Sequence, residues 1–443
     1  MHRLIPLIFI FFIVPTALAH SLSESKINAE TLSEPSLIDI DEDSWDDNWS
    51  DEEESFSSWS ISGFVEGGYG TRLQKNKAVN HDTSLAEFTA RLNMNYQAKH
   101  WRLYTSNDLV IDELINRSTL NIRTANIHTN LNDSLSLKIG RQVNTWGTGD
   151  YLFLNDLFPK DWQSFFAGRD DEYLKKSSDS IKALWFKGNT SIEMVFTPKF
   201  TADRIINGER FSYFLPAANQ FTGRSFPIKQ NNASTLAIRV ASNFKQLEYA
   251  FYGYLGYWNT PVGQSKQFAF YPKLNVYGAS IRSPMATGLI NAEFAYYQSA
   301  DDKHGDNGFI ANSQTRVLIG YELELLSHLT FSTQYYLEHT QDHAALLRTS
   351  STSERKAITA LNRQVATVRI NYRMLRQKLT LGLFGFWSPT DEDSYLRPSV
   401  SYRVDDQWKI AAGANIFQGK RNNTFFGQHK TNSNVWLRVR YNY

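Results

Sequence analysis

Ala86-Glu87-Phe88-Thr89-Ala90-Arg91-Leu92-Asn93-Met94-Asn95-Tyr96 alternates without a break. Ala86, Phe88, Ala90, Leu92, Met94 and Tyr96 fall on one side, and Glu87, Thr89, Arg91, Asn93 and Asn95 on the other. Side chains of an extended chain point alternately to opposite faces, so this is a strand with one apolar and one polar surface. Thr315 to Leu325 repeats the pattern, with Val317, Ile319, Tyr321 and Leu323 opposite Arg316, Gly320, Glu322 and Glu324. Ala366 to Met374 does so again, with Val368, Ile370 and Tyr372 opposite Thr367, Arg369, Asn371 and Arg373. Segments of about ten residues with this rhythm are what a tilted strand needs to cross a bilayer with lipid outside and water inside.

The composition agrees. The 443 residues include 22 Tyr, 29 Phe and 11 Trp with a mean hydropathy of −0.42, a supply of aromatics without long apolar runs that suits girdled barrels rather than helical membrane proteins. There is no cysteine, which excludes disulfide frameworks, thiolate chemistry and thiolate metal sites.

Applied to the whole chain, the template predicts strands at 59–71, 85–97, 101–111, 119–130, 134–143, 180–186, 190–197, 234–242, 247–258, 270–283, 289–299, 314–325, 329–339, 365–374, 379–388, 395–404, 408–417 and 433–443. The fourth alternates poorly. Every second connection is short, near Lys99, Asn132, Gly188, Phe244, Pro284, Ser327, Arg376 and Asp406, and the longest of the others fall at 144–179, 198–233 and 340–364. Short periplasmic turns facing longer outer loops, with an even strand count, characterise bacterial outer-membrane barrels. The expected fold is an all-β, transmembrane, antiparallel up-and-down β-barrel of about 18 strands in residues 59–443.

Residues 1–19 read as a secretory signal: Arg3, an apolar run from Leu7 to Val14, and Ala17-Leu18-Ala19 before His20. From His20 to Ser58 the chain is Ser-rich and acidic, and is expected to be a disordered tail, because it cannot bury enough apolar surface. Thirteen acidic residues against Lys26 give residues 20–54 a charge of −12, whereas residues 55–443 carry 44 basic and 32 acidic residues, or +12. Asp39, Asp41 and Asp43 have the spacing that opens a calcium loop. Ser44 and Ser50 stand where the glycine and the closing glutamate belong, so neither metal nor other cofactor is expected.

The last residues, VWLRVRYNY, put Val435, Leu437, Val439, Tyr441 and Tyr443 on one face. Here the chain resembles Gram-negative outer-membrane proteins. The resemblance implies a bacterial outer-membrane location and a C-terminal strand read by the barrel-assembly machinery.

Gly140 to Asp179 breaks the rhythm. It carries eight aromatics, among them Trp146, Trp162, Phe165 and Phe166, with Asp156, Asp161, Arg169 and Asp170 for polar contact. Eighteen strands tilted by roughly 40° enclose a diameter of ~36 Å, too wide for side chains to fill, and this loop is the candidate constriction. Gly140-Arg141-Gln142, Trp146-Gly147, Asp156, and Pro159 with Asp161 are similar to the signature region of an uncharacterised outer-membrane family related to the alginate-export porins. That resemblance implies a passive 18-stranded channel with a loop-filled lumen.

Taking the polar face of each strand as inward, the candidate pore-lining residues are Arg91, Arg102, Arg316, Arg369, Arg373, Arg397, Arg403, Lys409, Arg438 and Arg440, with Glu293, Glu322, Glu324 and Glu338. Strands 14 to 18 supply Arg369, Arg373, Arg397, Arg403, Lys409, Arg438 and Arg440 with no acidic residue at these inward positions. This predicts a basic wall beside an acidic one and a field across the lumen that attracts a small anionic or polyhydroxylated, sugar-like solute. Pairing of these charges across strands is the plainer alternative.

The functional expectation is a passive, porin-like channel in contact with outer-membrane lipid, with an exit duct or accessory barrel of an export system as the alternative. Nucleic acid is not an expected partner. An enzyme is disfavoured: the ten histidines are scattered, and neither HExxH nor Gly-x-Ser-x-Gly occurs.

Overall fold

The computed structural model describes residues 58–265, 267–350 and 359–443. The signal, the acidic tail up to residue 57 and the Asp39–Asp43 spacing lie outside the described residues.

Eighteen antiparallel strands form one closed sheet. They are β1 (Ser58–Arg72), β2 (Thr83–Gln97), β3 (Trp101–Asp112), β4 (Arg117–Asn132), β5 (Leu135–Gln142), β6 (Ser178–Lys187), β7 (Thr190–Thr197), β8 (Thr235–Phe244) and β9 (Leu247–Tyr257). They continue as β10 (Lys273–Met285), β11 (Gly288–Ser299), β12 (Gln314–Leu326), β13 (Leu329–Thr340), β14 (Asn362–Met374), β15 (Leu379–Ser388), β16 (Asp393–Arg403), β17 (Trp408–Gly419) and β18 (Asn434–Asn442). Each pairs with its sequence neighbours, and β18 closes on β1 with Phe64 opposite Asn442 and Arg72 opposite Asn434. The strand number and order are those the alternation predicts, with ends displaced by a few residues.

The poor alternation of β4 has a cause. Ser106 of β3 faces Thr124, but Asn107 faces Ile122, so Arg123 is an extra residue in a bulge. A bulge re-aims the side chain it adds, and Arg123 joins Asn121 and Thr124 on the inner side. The short turns use left-handed backbone where two residues must reverse the chain, as at Gly188 (φ 57°) between β6 and β7.

The outer surface is apolar: Phe88, Leu109, Ile139, Phe251, Phe294, Ile319 and Leu437 are all exposed on outward positions. Trp59, Tyr96 and Trp101 pack in series, tilted to one another, at the short-turn end, with centroids 4.8 and 5.3 Å apart, and Trp408 meets Tyr441 at 5.0 Å beside the β16–β17 turn. An apolar belt with an aromatic girdle on a barrel whose last strand closes on its first is the surface a bilayer selects, and it places the chain in a bacterial outer membrane.

Candidate functional site: the barrel interior

The connection from β5 to β6 turns inward. Its α-helical turn, α1 (Trp162–Phe166), is started by Asp161, whose carboxylate accepts from the Ser164 amide at 2.9 Å and its hydroxyl at 2.8 Å, and a 3-10 turn follows at Asp171–Leu174. Phe165 and Phe166 are buried against Tyr395 of β16, at 5.8 and 5.6 Å between centroids, and Phe166 packs on Phe417 of β17 at 4.9 Å. Gly168 has φ 77° and lies so close to Trp436 of β18 that a Cβ would sit 2.3 Å from the indole nitrogen. Only glycine fits there.

Polar contacts bind the loop to walls far apart in the sheet order. On β11, Glu293 accepts from the Thr148 hydroxyl (2.9 Å), the Gly149 amide (2.9 Å), and the Asn155 amide (3.2 Å) and side chain (2.7 Å). Asp150 accepts from Arg369 of β14 at 3.1 Å and from Ser332 of β13 at 3.2 Å. Arg397 of β16 pairs with Asp171 and donates to the Arg169 carbonyl at 3.2 Å. Arg440 of β18 reaches Asp170 at 2.6 Å, and Arg438 reaches it at 3.4 Å. Just past β1, Arg169 grips Glu87 of β2 through contacts of 2.9 and 2.5 Å. Arg91 of β2 holds Glu172 at 2.6 Å, the Tyr173 hydroxyl at 2.8 Å and Asp108 at 2.6 and 2.8 Å.

The other loop candidates are internal braces. Trp146 donates to Glu193 of β7 and packs on Phe158 at 4.9 Å. Asp156 pairs with Lys160 at 3.0 Å, both almost fully buried, and Trp162 donates to Asp203 at 3.1 Å. Burial resists ionisation of Asp170, but Arg438, Arg440 and Lys409 outweigh it and hold that carboxyl well below the usual range. Asp171 is lowered in the same way, burial again being overcome, chiefly by Arg397.

The expected unopposed basic wall is therefore not what the interior holds. Arg369, Arg397, Arg438 and Arg440 all have carboxylate partners, supplied by Asp150, Asp171, Asp170 and by Glu66 of β1, which meets Arg440 at 2.8 Å and also Arg438. The reason is connectivity: the acids come from the loop and from β1, not from strands 14 to 18. The acidic wall is likewise consumed, Glu293 by loop donors and Glu338 by Arg316 at 3.3 Å, whose guanidinium also lies 3.8 Å from the Tyr297 ring centroid. Glu322 is half-buried, with Asp150, Arg282 and Arg369 as its charged neighbours. Arg102, Arg373, Arg403 and Glu324 are exposed beside the short turns, Arg102 donating to Gln97 at 2.6 Å and Glu324 accepting from the His328 amide at 2.6 Å.

Sequence reasoning missed Arg210, in the connection between β7 and β8, which is buried, donates to the Ser84 carbonyl at 2.8 Å and pairs with Asp112 of β3. It also missed a seam of asparagines: Asn415 joins Asn434 at 3.0 Å and the Phe166 carbonyl at 2.9 Å. Asparagine at inward positions near strand ends was the available signal.

A cavity of about 540 Å³ lies between the loop and β1–β6. Its charged lining is of both signs, with Glu66, Glu87, Asp108, Asp112, Asp161 and Asp179 beside Arg117, Arg123, Arg141, Arg169, Lys176, Arg204 and Arg438. Among the described residues no cluster of His, Asp and Glu is arranged to hold a metal ion.

A closed 18-stranded antiparallel barrel of this kind has the fold of the Gram-negative outer-membrane porins. Among solved structures it is similar to OccAB4 of Acinetobacter baumannii (10% identity, TM-score 0.56, covering 88% of this chain and 99% of that one) and OccAB3 of the same organism (11%, 0.52, 87% and 99%). It is also similar to OccD3 (OpdP) of Pseudomonas aeruginosa (10%, 0.52, 87% and 91%). No family model matches the sequence, and no curated protein matches it. The likeness is one of fold, and it brings in no relation to alginate export.

Proposed function

We propose that the chain is a passive outer-membrane channel in which the β5–β6 loop narrows the lumen and leaves solute the passage along β1–β6. The observation that carries this reading is that one loop is bonded to Glu293, Arg369 and Arg397 on one side and to Glu87 and Arg91 on the other. An aqueous interior obstructed by its own loop is a filter, because transit then depends on the groups along the remaining gap.

Arg123 and Lys176 line that gap and are bonded to the carbonyls of Glu172 and Ala202 rather than to carboxylates, which favours a small anionic or polyhydroxylated solute. Arg102, Arg373 and Arg403 at the short-turn mouth, with Lys409 nearby, add to the same bias. The C-terminal strand supplies the contact for the barrel-assembly machinery.

The test is planar-bilayer conductance of the purified full chain in a salt gradient. Discrete conductance steps with an anion-side reversal potential are expected. A chain that inserts into the bilayer and never conducts would remove the channel reading.

A further inference from the structure

The barrel wall has a notch. β4 pairs with β5 only from Ala125, opposite Arg141, down to Asn132, opposite Leu135. Residues 117–124 of β4 have β3 on one side and, among the described residues, no strand on the other. β5 has only eight residues, so beside this free edge the wall rises ~20 Å, less than the apolar band of about 25 Å that a barrel presents to lipid.

The chain frames the notch instead of covering it. Below, Arg141 and Asp179 pair across β5 and β6 at 2.7 Å, both on outward positions. Above, Arg117 at the head of β4 pairs at 3.2 Å with Glu209 of the β7–β8 connection. The cavity of about 540 Å³ passes through this frame. Its lining includes the inward Glu66, Glu87 and Asp108, yet also Leu120, Ile122, Arg141 and Asp179, which face outward. A cavity bounded by both faces of the same strand edge opens through the wall. Leu120 and Ile122 are exposed at its outer lip, and Arg123 and Lys176 stand within, their hydrogen bonds going to the backbone carbonyls of Glu172 and Ala202, with Asp161 and Asp203 as the carboxylates nearest in charge to Lys176.

We propose that this notch is a lateral portal between the lumen and the lipid, and that it admits an amphiphile with an anionic head and a hydrocarbon chain. The head meets Arg123 and Lys176, and the chain passes out over Leu120 and Ile122. A lumen-to-lipid route of this kind goes beyond a channel for water-soluble solutes, and its test does not depend on conductance.

Because the chain has no cysteine, single labelling sites are clean. Bimane is attached in turn to Thr119→Cys and Asn121→Cys, which face inward at the portal, to Leu120→Cys on the lipid face, and to Ser399→Cys, inward on β16. Each full-length variant is reconstituted in phosphatidylcholine vesicles carrying a brominated-chain quencher as phosphatidylglycerol, as phosphatidylcholine, or as free dibromostearate.

Leu120 should be quenched in every case and Ser399 in none. Thr119 and Asn121 should be quenched by the two anionic amphiphiles far more than by brominated phosphatidylcholine. Quenching by phosphatidylglycerol assigns a resident membrane lipid, and quenching by dibromostearate alone assigns a diffusible acid. Arg123→Gln with Lys176→Gln should raise the dibromostearate needed for half-quenching about tenfold. Thr119 and Asn121 as dark to the quenchers as Ser399 would overturn the portal. Equal quenching by neutral and anionic amphiphiles would overturn the anionic head site.

Discussion

Arg169 and Glu87 are joined by two hydrogen bonds of 2.9 and 2.5 Å, one residue from the β5–β6 loop and the other from β2, both largely shielded from solvent. Arg210 stands 3.7 Å from the same carboxylate. Replacing Glu87 with Gln leaves two guanidinium groups facing each other across a neutral amide. Breaking a buried pair from one side costs on the order of 3–5 kcal/mol. Loss of loop docking is the expected result, read as faster proteolysis within residues 167–176 and a lower melting temperature in detergent.

Glu293 tests the other anchor. Its carboxylate receives Thr148, Gly149 and Asn155, and Gln in its place can accept at one oxygen only. Glu293→Gln is expected to release residues 147–155 and raise single-channel conductance, while Glu324→Gln, exposed at a short turn, should leave conductance unchanged.

Charge reversal at Arg373 and at Arg397 separates two effects that the sequence alone merges. Arg373 is exposed, so Arg373→Glu should move the reversal potential toward cation preference without a change in loop protection. Arg397 is clamped to Asp171, so Arg397→Glu should instead free the loop, with conductance rising severalfold and selectivity following only as a consequence. Paired recordings of conductance and reversal potential distinguish the two.

His429 gives a pH dependence. Burial against Phe166 and Phe417 pushes its imidazole down to about 4. A base held below its unfolded value near 6.5 stabilises the fold fully above that value, and the contribution drains away as pH falls from about 6.5 toward 4. The packing of Phe166 should loosen over that interval, followed as hydrogen exchange in residues 162–168, and His429→Gln should flatten the profile.

The barrel was readable because its signal is local. Alternate residues of β2, β12 and β14 report lipid and water directly, and short turns mark where the chain reverses. Only β4 resisted, because the bulge at Arg123 shifts the rhythm by one. The interior was readable in composition and not in pairing. The sequence shows that Arg397, Arg438 and Arg440 face inward, but Asp170 and Asp171 lie more than 200 residues earlier, in a segment without a period. Nothing in local spacing says that the two meet. The β4–β5 notch was hidden for a related reason: strand lengths were visible, but the offset between neighbours depends on pairing.

Asp170, Glu66, Arg438 and Arg440 come from the middle, the beginning and the final residues of the chain, yet share one node. A nascent barrel can hydrogen-bond strand after strand as each is delivered, but this node cannot exist until the last strand arrives beside the first. This corner of the loop's grip is therefore a clasp that fastens at closure: the holds on β2, β11, β14 and β16 form without the last strand, and only a finished cylinder adds this one.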